Sequence, residues 1–336
     1  MALPIGVRSA PSAGDGSGTS RSRWLRPVLV VNLVAQIGIV LTGGTVRLTG
    51  SGLGCPTFPE CVSGSIVPVA HQAQGIHKYI EFGNRTLTSV LSVLAIAALV
   101  LVVWHVRAGL VPQRRRRGIV LLGAAPLAGV ALQALIGGIT VLTTLNPATV
   151  AVHFMVSMSL IAVSAWLLLT VAPPDRQQAV AEVAEQELLR PELRWLALGV
   201  AGVLAAVLAL GTVVTGSGPH SGDADRPNRF AVNVRDVAWL HADAVWLFVG
   251  LVVALVLALR LTGAGPIATR RSYWLLGLTL TQGVVGFVQY VTAVPAVLVG
   301  VHMLGASLLV LTMTATVHAV LARPLDVESA SQHALA

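Results

Sequence analysis

Residues 43–54 read GGTVRLTGSGLG, and residues 210–222 read LGTVVTGSGPHSG. Each copy has Gly-Thr-Val shortly before Thr-Gly-Ser-Gly, and each lies where a long apolar run ends. Further matches keep the same order. Gln133-x-x-x-Gly137 answers to Gln282-x-x-x-Gly286, a histidine follows each glutamine by twenty residues (His153 and His302), and Pro147 and Pro295 lie between. Matching polar, glycine and proline positions at a long offset are the mark of an internal duplication. The apolar runs fall at about 27–46, 80–104, 118–140, 148–171, 194–214, 237–260, 272–291 and 296–321. A helix crosses the hydrocarbon core with ~20 apolar residues. The predicted fold is therefore an all-α polytopic membrane protein: eight transmembrane helices forming two pseudo-symmetric four-helix bundles, repeated in parallel about an axis along the membrane normal.

Composition agrees. Of 336 residues 55% are hydrophobic and 11% charged, against roughly 25% charged in a soluble domain. A net charge of +8 does not indicate nucleic acid, because the arginines sit at the edges of apolar runs with no interleaved aromatics. Cytoplasmic loops collect Lys and Arg. Sixteen of the 22 basic residues lie on the side of the N-terminus, including the run Arg114–Arg117, and six lie opposite: Arg47, Lys78, Arg85, Arg226, Arg229 and Arg235. Both termini are expected in the cytoplasm, in a multi-pass cell-membrane protein. The expected organisation is a disordered tail over 1–26 without a cleaved targeting segment, a first bundle over 27–172, a cytoplasmic linker over 173–193, a second bundle over 194–322 and a tail over 323–336. Two long outer loops, about 47–78 and 215–236, join the spans.

Ionisable residues inside spans are costly and so are functional candidates. His241 and His302 fall at matching depth on the second and fourth helices of the second bundle. Two imidazoles facing each other across a bundle suit the axial positions of a haem iron, and the small residues Gly300, Gly305, Ala306 and Ser307 would admit a flat macrocycle. In the first bundle His153 is the equivalent of His302. The second span opens with His77, Glu81, Asn84 and Arg85 at helical spacing, which puts them on one face. Glu81 and Arg85 read either as a structural ion pair or as a carboxylate poised to move protons beside His153. Cys55 and Cys61 flank a short, proline-rich turn in the first outer loop, where a disulfide or a redox-active thiol pair is open to them. Thr-Gly-Ser-Gly has no nearby Walker-type lysine and is no phosphate loop. His71, His105, His220, His318 and His333 are expected at interfaces.

The stretch from Gly43 to Pro56 with Cys61, the segment Glu81-x-x-Asn84-Arg85, the stretch from Thr215 to His220, and the histidines at 153, 241 and 302 together resemble the haem A synthase family, in a bacterial, actinobacterial-like form. The resemblance covers about 25–322. It implies an oxidase that converts the C8 methyl of haem O to a formyl group. It further implies haem b held by His241 and His302, haem O held in the first bundle with His153 as a ligand, Glu81 as the catalytic carboxylate, and a Cys55–Cys61 disulfide. Haem O synthase, the farnesyl-transferring enzyme upstream, is the implied partner; no electron donor is named by it. The family's usual segment is Glu-x-x-His-Arg, and here Asn84 stands in the histidine's place. The substrate haem is then held by His153 alone, or His77 takes the vacant role. Two competing classes share features of this pattern: a non-catalytic membrane cytochrome b passing electrons between quinol and a partner, and a transporter built of parallel repeats.

Overall fold

The computed structural model describes residues 17–172, 190–223 and 227–321. Among them the chain is helical: α1 (Ser17–Leu48), α2 (His77–Arg107), α3 (Arg116–Leu142), α4 (Pro147–Val171), α5 (Pro191–Ser217), α6 (Val234–Leu261), α7 (Pro266–Val291) and α8 (Ala296–Leu321). The short 3-10 turn Gln113–Arg115 precedes α3, and an isolated bridge joins Val62 and Ser65. All eight helices are long and apolar enough to cross a membrane. Hydrocarbon offers the backbone no hydrogen bonds, so the helix, which bonds within itself, is the element such a sequence adopts.

Helices α1 to α4 close a ring in which each packs on the next and α4 returns to α1; α5 to α8 close a second ring in the same way. The rings meet along α4 and α8, with α1 packed on α8 and α4 on α5. Exchanging the halves leaves this set of contacts unchanged, which is compatible with two-fold pseudo-symmetry. Their junction is filled by Leu33, Met158, Ile161, Leu204, Leu309 and Val310, among other buried side chains. Within the first ring the backbone of Gly129 lies directly under Leu160, the close approach that drives helix association in membranes.

The duplication extends to the backbone of the tight turns. Thr144 and Leu145, before α4, have φ of 51° and 57°; Ala293 and Val294, before α8, have 59° and 58°. Non-glycine residues seldom occupy this left-handed region. The turns are held by matching bonds, Leu145 N to Thr140 O and Val294 N to Gln289 O, each 2.8 Å. The two Thr-Gly-Ser-Gly loops also bond to each other. Arg47 donates Nε to His220 O at 2.6 Å and Nη2 to Thr215 O at 2.9 Å, and Gly52 N donates to Gly222 O at 2.9 Å.

Several boundaries differ from the sequence expectation. α1 begins at Ser17, inside the segment assigned to the tail, and α5 begins at Pro191, inside the segment assigned to the linker. Helical geometry does not require apolar side chains once the chain leaves hydrocarbon, and proline suits the first position of a helix, as at Pro147, Pro191 and Pro266. The rest of the linker (173–189) and both outer tail segments, with His333, lie outside the described residues. His105 and His318 are not interfacial: they are 8% and 0% exposed. His318 sits where α4 and α8 meet, 3.2 Å from Thr170 Oγ1 and edge-on to Trp166.

Arg47 bridges the two halves through charged hydrogen bonds. Replacing it with Met is expected to destabilise the protein by about 1–3 kcal/mol, read as a lower melting temperature in detergent; an unchanged melt would show that the loop pairing carries no stability.

Candidate functional site

The candidate residues fall at repeated depths. Asn84 lies seven residues after the start of α2 at His77, and His241 seven after the start of α6 at Val234; His153 lies six after Pro147, and His302 six after Ala296. By register, then, Asn84 is the counterpart of His241 and His153 that of His302. Glycines receive the histidine rings. A methyl group placed on Gly137 of α3 would stand 3.4 Å from His153 Cε1, and one on Gly286 of α7 would stand 3.4 Å from His302 Cε1. One on Gly211 of α5 would stand 3.3 Å from His241 Cε1. At all three positions the ring lies within van der Waals reach of the glycine backbone.

In the first ring Asn84 faces α1. Its Oδ1 accepts from Thr42 Oγ1 at 2.7 Å, and the backbone of Gly43 lies beside its amide nitrogen. His77 is not brought to this level. It is exposed, its Nδ1 is 2.8 Å from Ser51 Oγ, and seven residues of helix put it about 10 Å further along the axis. The shared helix face expected for His77, Glu81, Asn84 and Arg85 is present, but at two levels.

Glu81 and Arg85 form the predicted ion pair, and they do more than pair. Glu81 Oε1 accepts from Arg85 Nε at 3.0 Å and Nη2 at 2.5 Å, while Oε2 accepts from the backbone N–H of Cys55 at 2.7 Å. Arg85 also donates to the carbonyls of Cys55 (2.7 Å), Thr57 (3.0 Å) and Glu60 (3.3 Å). Cys55 and Cys61 are joined in a disulfide and fully buried. Lys78 adds bonds to the carbonyls of Val69 and Ala70, at 2.6 and 2.9 Å. The loop is thus bolted onto the first turns of α2, and Phe58 at its tip lies directly on Gly138 of α3, next to the glycine that receives His153. The Cys55–Cys61 disulfide and the i,i+4 spacing of Glu81 and Arg85 were legible in the sequence. The other loop contacts were not, since they join residues up to thirty positions apart across an irregular segment.

The donor set fits a haem. Among the described residues no group of three or more His, Cys, Asp or Glu converges. Histidines that come in ones and twos suit an iron that already has four porphyrin nitrogens and needs only axial ligands. Nδ1 of His153, of His241 and of His302 is buried without a hydrogen-bond partner, whereas ligating imidazoles ordinarily use that nitrogen for a supporting bond. His241, His302 and His153 are therefore the residues that would hold iron, and Asn84 offers a poor ligand at the remaining position.

Residues 26–314 match the family COX15-CtaA, cytochrome oxidase assembly protein. The chain belongs to this family. Among relatives, it is 29% identical to the haem A synthase of Methylobacterium radiotolerans over 351 aligned positions, covering 92% of this chain and 93% of that protein. It is 28% identical to the haem A synthase of Methylobacterium sp. strain 4-46, over 81% of this chain and 84% of the relative. The similarity to the Lysinibacillus sphaericus haem A synthase is 31% over 57% and 58% of the two chains.

Replacing Arg85 with Leu would leave Glu81 buried and unpaired, at an expected cost of about 3–5 kcal/mol. Limited proteolysis should then cut between residues 55 and 75 at protease concentrations that spare the wild type. Equal resistance would mean that the guanidinium does not hold the loop.

Proposed function

We propose that the chain is a haem A synthase, an oxidoreductase that converts the C8 methyl of haem O to a formyl group by successive oxidations. One observation carries the reading: the same ligand position occurs twice, filled by His241 and His302 in the second ring and by Asn84 and His153 in the first. Two imidazoles suit a resident haem b. One imidazole opposite an asparagine suits a haem that must arrive as substrate and leave as product. A non-catalytic cytochrome b has no use for that inequality, and a transporter has no use for the paired histidines.

Haem supplies the one-electron and oxygen chemistry when bound. The chain's own residues do the rest. His153 orients the substrate from α4, and Asn84, held by Thr42, leaves the opposite face open. His77 is exposed and bonded to Ser51, which supports its exclusion from the ligand set. Phe58 and the disulfide-closed loop cover the end of α3 and restrict water. Glu81 lies one turn from Asn84 on the side of that loop, with both oxygens held by Arg85 and Cys55; in this reading it accepts a proton at the edge of the site. Both termini are cytoplasmic, by the arginine distribution, so the two sites lie toward the outer leaflet of the cell membrane. Haem O synthase is the partner that delivers the substrate.

Expression alongside haem O synthase, followed by extraction of the haems, tests the reading. Haem A or its hydroxylated intermediate is expected; haem b alone would indicate a cytochrome, and no haem would indicate transport. His241→Ala and His302→Ala are expected to lose haem b. His153→Ala is expected to keep haem b and make no haem A, while His77→Ala binds haem O as the wild type does.

Glu81→Gln is expected to lower the rate of haem A formation by about 10²–10⁴-fold, the range of general acid–base assistance, with haem b retained. A normal rate would remove Glu81 from the chemistry and leave it as the bolt of the loop.

A further inference from the structure

Two intramembrane glutamines stand outside the proposed set of iron ligands. Gln133 on α3 and Gln282 on α7 occupy equivalent places in the two repeats, each one turn before the glycine that receives a histidine ring. A carboxamide in a span is costly unless both its ends are bonded. α7 has the lowest mean hydropathy of the eight spans, 1.3, and still keeps Gln282 nine-tenths buried.

The nitrogen of Gln133 is engaged. It donates to His153 O at 3.0 Å and to Ser157 Oγ at 2.5 Å, so the carboxamide is fixed against the very turn of α4 that carries His153. Its oxygen is buried and has no partner. In the second repeat the carboxamide of Gln282 fills the space a side chain on Gly305 would need, three residues after His302, and its oxygen is likewise buried without a partner. Among the unsatisfied buried atoms of each repeat is therefore a pair of opposite character: a glutamine oxygen, which accepts, and a histidine Nδ1, which donates when Nε2 is kept free as a ligand. The two atoms belong to neighbouring helices held together at that level by a bare glycine. Nδ1 of His241 is likewise buried without a partner.

We propose that Gln282 and Gln133 are positioning residues for the iron-ligating histidines: the carboxamide oxygen serves the Nδ1–H of His302 and of His153, fixes the tautomer that turns Nε2 toward iron, and raises the basicity of the imidazole. The inference rests on the reading that these histidines ligate haem. It accounts for a repeated, buried polar residue in a segment where leucine would be cheaper, and it assigns that residue to tuning the iron.

Redox potentiometry and low-temperature electron paramagnetic resonance of the full chain, purified with its haem, provide the test. A more basic imidazole favours ferric iron, so Gln282→Leu is expected to retain haem, shift its midpoint to more positive potential and move its low-spin g values. Gln282→Glu, a stronger acceptor of similar shape, is expected to shift the midpoint the opposite way. A role confined to helix packing would move neither, and Gln282→Leu with wild-type potential and g values would overturn the proposal. If the leucine variant does not fold, an unshifted midpoint in Gln282→Glu overturns it equally. A wild-type chain purified without any haem would instead remove the functional reading, and this one with it.

Discussion

A bilayer interior gives a polar side chain nothing to bond to, and this constraint orders the whole molecule. It makes the backbone helical eight times over, and it leaves only two kinds of polar residue inside the spans: those that find a partner and those that wait for one. Thr170 with His318, Asn32 with Ser164, and Thr42 with Asn84 are of the first kind. Nδ1 of His153, His241 and His302 and the oxygens of Gln133 and Gln282 are of the second. In each repeat the glutamine lies one helical turn from the glycine that meets a histidine ring.

The two halves are built alike and equipped differently. Both set a histidine ring on a bare glycine, both begin their last helix after a two-residue left-handed turn, and both end their first helix in Thr-Gly-Ser-Gly. Divergence is confined to two places. The first ring has asparagine at the depth where the second has His241, and its loop is longer, closed by a disulfide and bolted by Arg85 and Glu81. These differences fit a division of labour in which one ring holds a cofactor permanently and the other receives a substrate beneath a rigid cover. Arg47, reaching from the first loop to carbonyls of the second, keeps the two sites in fixed relation.

Much of this was legible before any coordinates. Eight apolar runs mark eight helices because the bilayer sets a minimum length, and His153 and His302 recur at the same depth in the two halves. What stayed hidden has physical reasons. The ends of α1 and α5 lie beyond the hydrocarbon, where hydropathy no longer reports on helicity. His318 reads as interfacial by its position near a helix end, and only the packing of α4 on α8 buries it. His77 shares a helix face with Asn84, but the Ser51 hydroxyl that occupies it comes from a loop twenty-six residues earlier. Glu81 and Arg85 announce an ion pair by spacing, while the three loop carbonyls that make Arg85 structural are invisible in a linear pattern. Gln133 and Gln282 stood out by repetition, yet that their oxygens are buried without a partner is visible only in the packed helices.

In the proposed assignment one ring ligates its iron from two sides and the other from one. Electron paramagnetic resonance of the ferric protein carrying a haem in each ring addresses it directly. One low-spin signal is expected, from iron between His241 and His302, together with one high-spin signal, from iron held by His153 with Asn84 opposite. Two low-spin signals of bis-imidazole type would contradict it.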